Sequence, residues 1–144
     1  MKNFVVGGVF LLVVVLLFTA CGSKPETGGK VPTGKTIKAV PVGSLTATLL
    51  NDSGQLKQGN QEFMVTFTDS SGKPVDVGAV SLNFHMAQMG TMAAMNDQTT
   101  FTTTETPGVY RGKASIEMAG EWQAQLAYEG PAGSGKATFT VTAQ

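Results

Sequence analysis

From residue 43 onward, apolar and polar residues alternate along the chain with a period of two. This period places successive side chains on opposite faces of an extended strand, so it predicts β-strands rather than helices. Turn-forming residues such as Asn51-Asp52-Ser53-Gly54 and Pro107-Gly108 separate the apolar runs. The pattern predicts strands around residues 45–49, 63–67, 80–86, 98–105, 110–118, 122–128 and 139–141.

This succession of short strands predicts the fold class. About seven antiparallel strands in roughly 100 residues are typical of an immunoglobulin-like β-sandwich, and we expect an all-β domain over residues 43–144. A domain of this size can bury a core of its own without disulfides.

The N-terminal segment has a different composition, which predicts a targeting signal rather than part of the folded domain. Lys2 is followed by an apolar run over 4–18, shorter than the ~20 residues of a spanning helix, which is typical of a signal peptide at residues 1–20. The run ends in Thr19-Ala20-Cys21, which resembles the bacterial lipobox, so we expect a lipid on Cys21, the only cysteine.

The residues after Cys21 are typical of a tether. Residues 21–42 are rich in Gly, Lys, Thr and Pro, which predicts a flexible linker between the lipid and the domain. The protein is therefore expected to be extracytoplasmic and anchored to a bacterial membrane, on the periplasmic or the cell-surface side.

One stretch concentrates candidate chemistry. Residues 85–95 hold the only histidine and four of the seven methionines, and no carboxylate stands before Asp97. Thioethers and imidazole suit a soft ion such as Cu(I), whereas zinc prefers thiolates or several imidazoles and calcium or magnesium prefers oxygen. The stretch therefore predicts a copper site drawn from His85, Met86, Met89, Met92 and Met95.

The alternation also predicts where these side chains point. If Leu82, Phe84 and Met86 face the core, His85 faces the opposite side, and Met89, Met92 and Met95 form the exposed set in the loop beyond. A structural interpretation remains open, because methionines also fill gaps in cores and build adaptable surfaces. Met86, Met89 and Met92, at steps of three, are also compatible with one face of a short helix.

Other functions are disfavoured by composition and context. Ten basic and ten acidic residues give a net charge of zero, so nucleic-acid binding has no electrostatic basis. Residues 29–36 match the P-loop pattern and 130–136 match most of it, but neither stands between a buried strand and a helix, so no nucleotide site is expected. One histidine and no carboxylate pair near the methionines give no nucleophile with its base, so we expect no enzyme.

Three segments in order resemble a known family. Residues 82–90, 107–110 and 118–122 read LNFHMAQMG, PGVY and MAGEW. They resemble the YtkA-like domain, related to FixH-like proteins, over about residues 60–142. The resemblance implies an extracytoplasmic immunoglobulin-like module associated with copper handling or cytochrome oxidase assembly. Met118 and Trp122 are expected to build a corner of the fold, and whether either joins the copper site is left open.

Two functional hypotheses follow. The first is a copper-binding module, acting as a chaperone or buffer that exchanges Cu(I) with a membrane protein. The second is an interaction module, in which the methionines form an adaptable apolar patch that docks on a membrane partner such as an oxidase-assembly or efflux complex.

Overall fold

The computed structural model describes residues 31–144, so the expected signal peptide and Cys21 lie outside the described residues. Nine β-strands make up this part of the chain, and no helix in it is long and apolar enough to span a membrane. The strands are β1 (Lys35–Val42), β2 (Leu45–Asn51), β3 (Gly59–Thr68), β4 (Ala79–Met86), β5 (Met95–Gln98), β6 (Thr100–Thr103), β7 (Val109–Ile116), β8 (Gly120–Gly130) and β9 (Gly133–Ala143).

The strands form two antiparallel sheets. One sheet has the order β1-β2-β3-β7-β6, and the other has the order β5-β4-β8-β9. The inner faces of both sheets carry the alternating apolar residues that the sequence pattern marks, and these residues form one core cluster. The prediction of an all-β, immunoglobulin-like sandwich is therefore confirmed.

Aromatic side chains join the two sheets across the core. Phe63 on β3 meets Phe84 on β4 edge to face, with ring centroids 6.1 Å apart, and Phe67 meets Tyr128 on β8 at 5.4 Å. All four side chains are buried, and full burial of a side chain of this size stabilises the fold by about 1.5 to 3 kcal/mol. The strand that leads into the methionines is thus held from inside the core.

The first strand corrects the expected linker boundary. The composition predicts a flexible linker through residues 35–42, yet these residues form β1, and its Val40 and Val42 are buried in the core. A shift in pairing between Thr36 and Lys38 hides the period-two pattern from a sequence reading. Pro41 is compatible with β1 because β1 lies at the edge of its sheet, where a strand tolerates a missing N–H donor.

The second difference concerns the threonine-rich strand expected over 98–105. In the structure, β5 begins at Met95 and ends at Gln98, the first residue of this region, whereas β6 lies inside the region; β5 belongs to the four-stranded sheet and β6 to the five-stranded sheet. The chain changes sheets at Thr99, whose side chain is buried and whose N–H donates to the carbonyl of Leu82. This division and β1 account for nine strands where about seven were expected.

A tyrosine fixes the long connection at the other end of β4. The hydroxyl of Tyr110 donates to Asp76 Oδ1 at 2.9 Å and accepts from the N–H of Val77 at 3.2 Å. Hydrogen bonds from the N–H of Gly78 and from Tyr110 lower the pKa of Asp76, and burial raises the pKa of Tyr110. Both ends of β4 are therefore restrained.

Candidate metal centre

The candidate site is a β-hairpin made by β4, β5 and the loop between them. The ladder pairs His85 with Asn96 and Met86 with Met95, and the same register returns at the tip, where Met89 pairs with Met92. We call residues 85–96 the methionine hairpin. The segment is therefore a hairpin and not a short helix with methionines along one face, which was the alternative left open by the sequence.

The tip of the methionine hairpin is a tight two-residue turn. Met89 N donates to Met92 O at 3.2 Å and Met92 N donates to Met89 O at 2.9 Å. Gly90 has a φ of 57°, the left-handed conformation that such hairpin turns require and that glycine adopts without a steric penalty. The sequence Met-Gly-Thr-Met therefore folds so that its two methionines are partners.

This pairing brings two thioethers together in solvent. Residues directly opposite each other in an antiparallel ladder have Cβ atoms about 4.5 to 5.5 Å apart on one face. Met89 is 54% exposed and Met92 is 41% exposed. Among the described residues, the other exposed large hydrophobic side chain is Val31, so exposure of this kind is concentrated at the tip.

The second methionine pair faces the core instead. Met86 is 4% exposed, which confirms its predicted inward direction, and Met95 is half-buried against the core. The expectation that Met95 belongs to the exposed set is wrong, because Met95 lies directly opposite Met86 and shares its inward face. A Cβ atom added to Gly120 would lie 3.3 Å from Met86 Cε, so the start of β8 closes over this side chain.

His85 lies on the outer face, as the alternation predicts, and its ring is oriented by a neighbour. Its Nδ1 is 2.9 Å from Oδ1 of Asn96, the residue opposite it in the ladder. An amide oxygen can only accept a hydrogen bond, so this contact favours the neutral tautomer with the proton on Nδ1 and the lone pair on Nε2. Metal-binding histidines are commonly oriented by a hydrogen bond of this kind on the other ring nitrogen.

The electrostatic surroundings of the tip are neutral. Residues 85–96 include no Asp, Glu, Lys or Arg. The next residue, Asp97, is buried, and its Oδ2 accepts the N–H of Glu117 at 3.0 Å. Within residues 31–144, no three His, Cys, Asp or Glu side chains lie close enough together to hold a metal ion. The hairpin as a whole therefore offers a metal ion thioether sulfur and imidazole nitrogen as donors, with the two exposed thioethers at its tip.

A corner of the fold supports the base of the hairpin. The indole Nε1 of Trp122 donates to the carbonyl of Met118 at 3.0 Å, and Trp122 is fully buried while Met118 is half-buried. Together with the hydrogen bond between Asp97 and Glu117, this contact fixes the β7–β8 connection against β5. Trp122 is therefore a core residue of the corner, as one of the two expectations had it.

Asn96 and Asp97 are two residues that sequence reasoning missed. They are identified by their positions opposite His85 and Phe84 in the hairpin. Those positions can be assigned only when the pairing register is known. The eight-residue connection between β4 and β5 does not reveal that register until the Met89–Met92 turn is recognised.

The fold and the site together define a class. The chain carries a small antiparallel β-sandwich with an exposed methionine hairpin at one end of it. The family model described as YtkA-like matches residues 41–127, more than half of the chain, and the match includes the hairpin and Trp122. The chain belongs to the YtkA-like family. Comparisons with curated proteins and with solved structures gave no significant match.

Asn96 is predicted to set the tautomer of His85. In Asn96→Ala the acceptor for Nδ1–H is gone, so the neutral ring should exchange its single Nδ1–H form for a mixture of both tautomers. Nitrogen-15 NMR of the imidazole at high pH measures this directly. Gln98→Ala is the matched control, because Gln98 lies on the same face of β5 but opposite Asn83. Identical tautomer populations in wild type and Asn96→Ala would contradict the assignment.

Proposed function

We propose that this protein is an extracytoplasmic, lipid-anchored module that binds Cu(I) at the methionine hairpin and acts as a copper chaperone or buffer. The observation that carries the proposal is the exposed, cross-strand pair of Met89 and Met92 at the hairpin tip. Of the five candidate donors, these two are exposed and also lie directly opposite each other across the hairpin.

The donor chemistry supports copper rather than a harder metal. Thioether sulfur is a soft donor, and it suits Cu(I) better than magnesium, calcium or zinc. The imidazole of His85 lies on the outer face of the same hairpin, but four residues before Met89, so the two thioethers are the donors at the tip itself. Met86 faces the core, so its sulfur would reach an ion only after the side chain turned outward.

The neutrality of the site supports transfer rather than permanent storage. Thioethers and neutral imidazole leave the full charge on a bound Cu(I) ion, and the hairpin supplies no carboxylate to balance it. A site of this kind holds its ion with moderate affinity and gives it up to a partner with charged ligands. We therefore propose a copper-donating or copper-receiving membrane protein as the partner and no catalytic role.

The membrane location in this proposal rests on residues 1–21, outside the described part of the chain. The apolar run that ends in Thr19-Ala20-Cys21 supports cleavage before Cys21 and attachment of lipid to it. Stable anchoring takes at least two acyl chains, since one gives only marginal binding. The sandwich would then be held close to the membrane that contains its partner.

The exposure of Met89 and Met92 also favours a second candidate. An adaptable apolar tip is suited to docking on a membrane protein without any metal, because methionine side chains repack easily against different surfaces. This candidate shares the residues of the first and differs from it in needing bulk rather than sulfur.

Replacing both tip methionines by leucine separates the two candidates. Met89→Leu/Met92→Leu keeps apolar bulk but removes both sulfur donors, so it should abolish Cu(I) binding while leaving the apo domain folded. Anaerobic titration with Cu(I) against a competing chelator measures affinity, and the Cu(I)-induced rise in unfolding temperature provides a second readout. Met64→Leu is the control, since Met64 lies on β3 in the other sheet.

Two results would contradict the copper site. The first is that the wild-type protein releases all its Cu(I) to a weak chelator. The second is that the double leucine variant binds Cu(I) as tightly as the wild type does. A leucine variant that still docks on a membrane partner, together with a wild type without copper affinity, would favour the interaction module.

The lipid anchor is tested at its own residue. Cys21→Ser removes the only thiol, so the chain should no longer incorporate a palmitate analogue during growth and should remain an uncleaved precursor. Ser23→Ala, two residues further on, should incorporate the label normally. Labelling that persists in Cys21→Ser would refute the lipoprotein assignment.

A further inference from the structure

The hairpin geometry limits how many donors one ion at the tip can use. Met86 is buried and Met95 is half-buried against the core, so both sulfurs belong to the inner face of the sheet. The donors outside the core are the exposed Met89 and Met92 at the tip and the half-buried imidazole of His85 on β4. The question is whether His85 can complete a site with the two methionines.

The register places His85 too far from Met89 and Met92 to bind the same ion. The pairs at His85, Met86 and Met89 share one register, so neither side of the hairpin contains an extra, bulged residue between them. Four residues of extended chain span about 13 Å, and side chains stand roughly perpendicular to a sheet. Two donors on one ion lie no more than about 4 to 5 Å apart, given metal–ligand distances of ~2.0 to 2.3 Å. The tip therefore offers an ion two thioethers and no third donor.

A site with two neutral thioethers is open. It leaves coordination positions of the ion facing solvent, because the two methionines at the tip are exposed. Nothing on the tip obstructs a second set of donors, because a Cβ added to Gly90 would meet nothing within 4 Å and the flanking Met89 and Met92 are exposed. The remaining donors can come from another molecule that approaches the exposed methionines of the tip.

A second copy of the same chain meets these requirements. It supplies the same two exposed thioethers, and residues 85–96 carry no charge that would repel an identical tip. Cleavage before Cys21 would remove Lys2 and leave nine basic and ten acidic residues, so a net charge of about −1 gives two copies little electrostatic repulsion. A two-fold axis through the ion would make both tips equivalent, which is the commonest symmetry of protein dimers.

We propose that the Met89–Met92 pair is half of a metal site, and that one Cu(I) ion joins the tips of two copies through four thioethers. This inference rests on the copper-binding function proposed above. It implies that the ion is enclosed when two copies meet and exposed when they separate, so that a membrane partner with soft donors would replace one of the two copies during transfer.

Two differently tagged forms of the full chain provide the test. Both are mixed anaerobically in excess detergent micelles, so that chance sharing of a micelle is rare, and one tag is captured with and without Cu(I). We expect the second form to co-purify only with Cu(I), and the captured material to contain one copper ion per two chains. Met89→Leu/Met92→Leu in both forms should abolish co-purification, whereas Met64→Leu should leave it unchanged.

The contrary outcomes are distinguishable. One copper ion per chain without co-purification would overturn the shared site but leave the proposed function intact. Co-purification that is independent of Cu(I) would also overturn the shared site, since the metal would not be the link. No copper bound by either form would overturn the shared site and the proposed function together.

Discussion

The pairing register of β4 with β5 is the constraint on which the geometry of the candidate metal centre depends. It places Met86 and Met95 on the inner face, His85 and Asn96 on the outer face, and Met89 opposite Met92 at the tip. A slip by one residue would exchange the two faces, burying an imidazole and exposing a core methionine. The buried contact between Phe84 and Phe63 opposes that one-residue slip, because the slip would turn Phe84 out of the core.

The same arrangement explains how a rigid sandwich can present a soft and open site. Trp122 and Asp97 fix the base of the hairpin through hydrogen bonds to Met118 and Glu117. Beyond Met86 the ladder is interrupted over Ala87 and Gln88, and the tip is held by its own two hydrogen bonds. The core therefore sets the position of Met89 and Met92 without covering them, as the proposed copper site requires.

Much of this fold could be predicted from the sequence because period-two alternation is a local signal. It placed Leu82, Phe84 and Met86 in the core and His85 outside it. Alternation is not sufficient where strand pairing determines the structure. A register shift and Pro41 conceal β1 from the sequence pattern. The sequence pattern also does not show that the chain passes from one sheet to the other at Thr99, beside the threonine-rich strand. Met95 was misplaced for the same reason, since its direction depends on its partner across the hairpin.

The most direct test of the central claim is a methyl NMR titration of residues 31–144, the described part, which contains all of β1. This fragment has six methionines, at positions 64, 86, 89, 92, 95 and 118, and labelling their methyl groups with carbon-13 gives one signal for each. Addition of Cu(I) is predicted to shift the signals of Met89 and Met92 first and most, while that of Met64 stays in place. If all six signals are unmoved, or if Met64 shifts as much as the tip pair, the methionine hairpin is not the copper site.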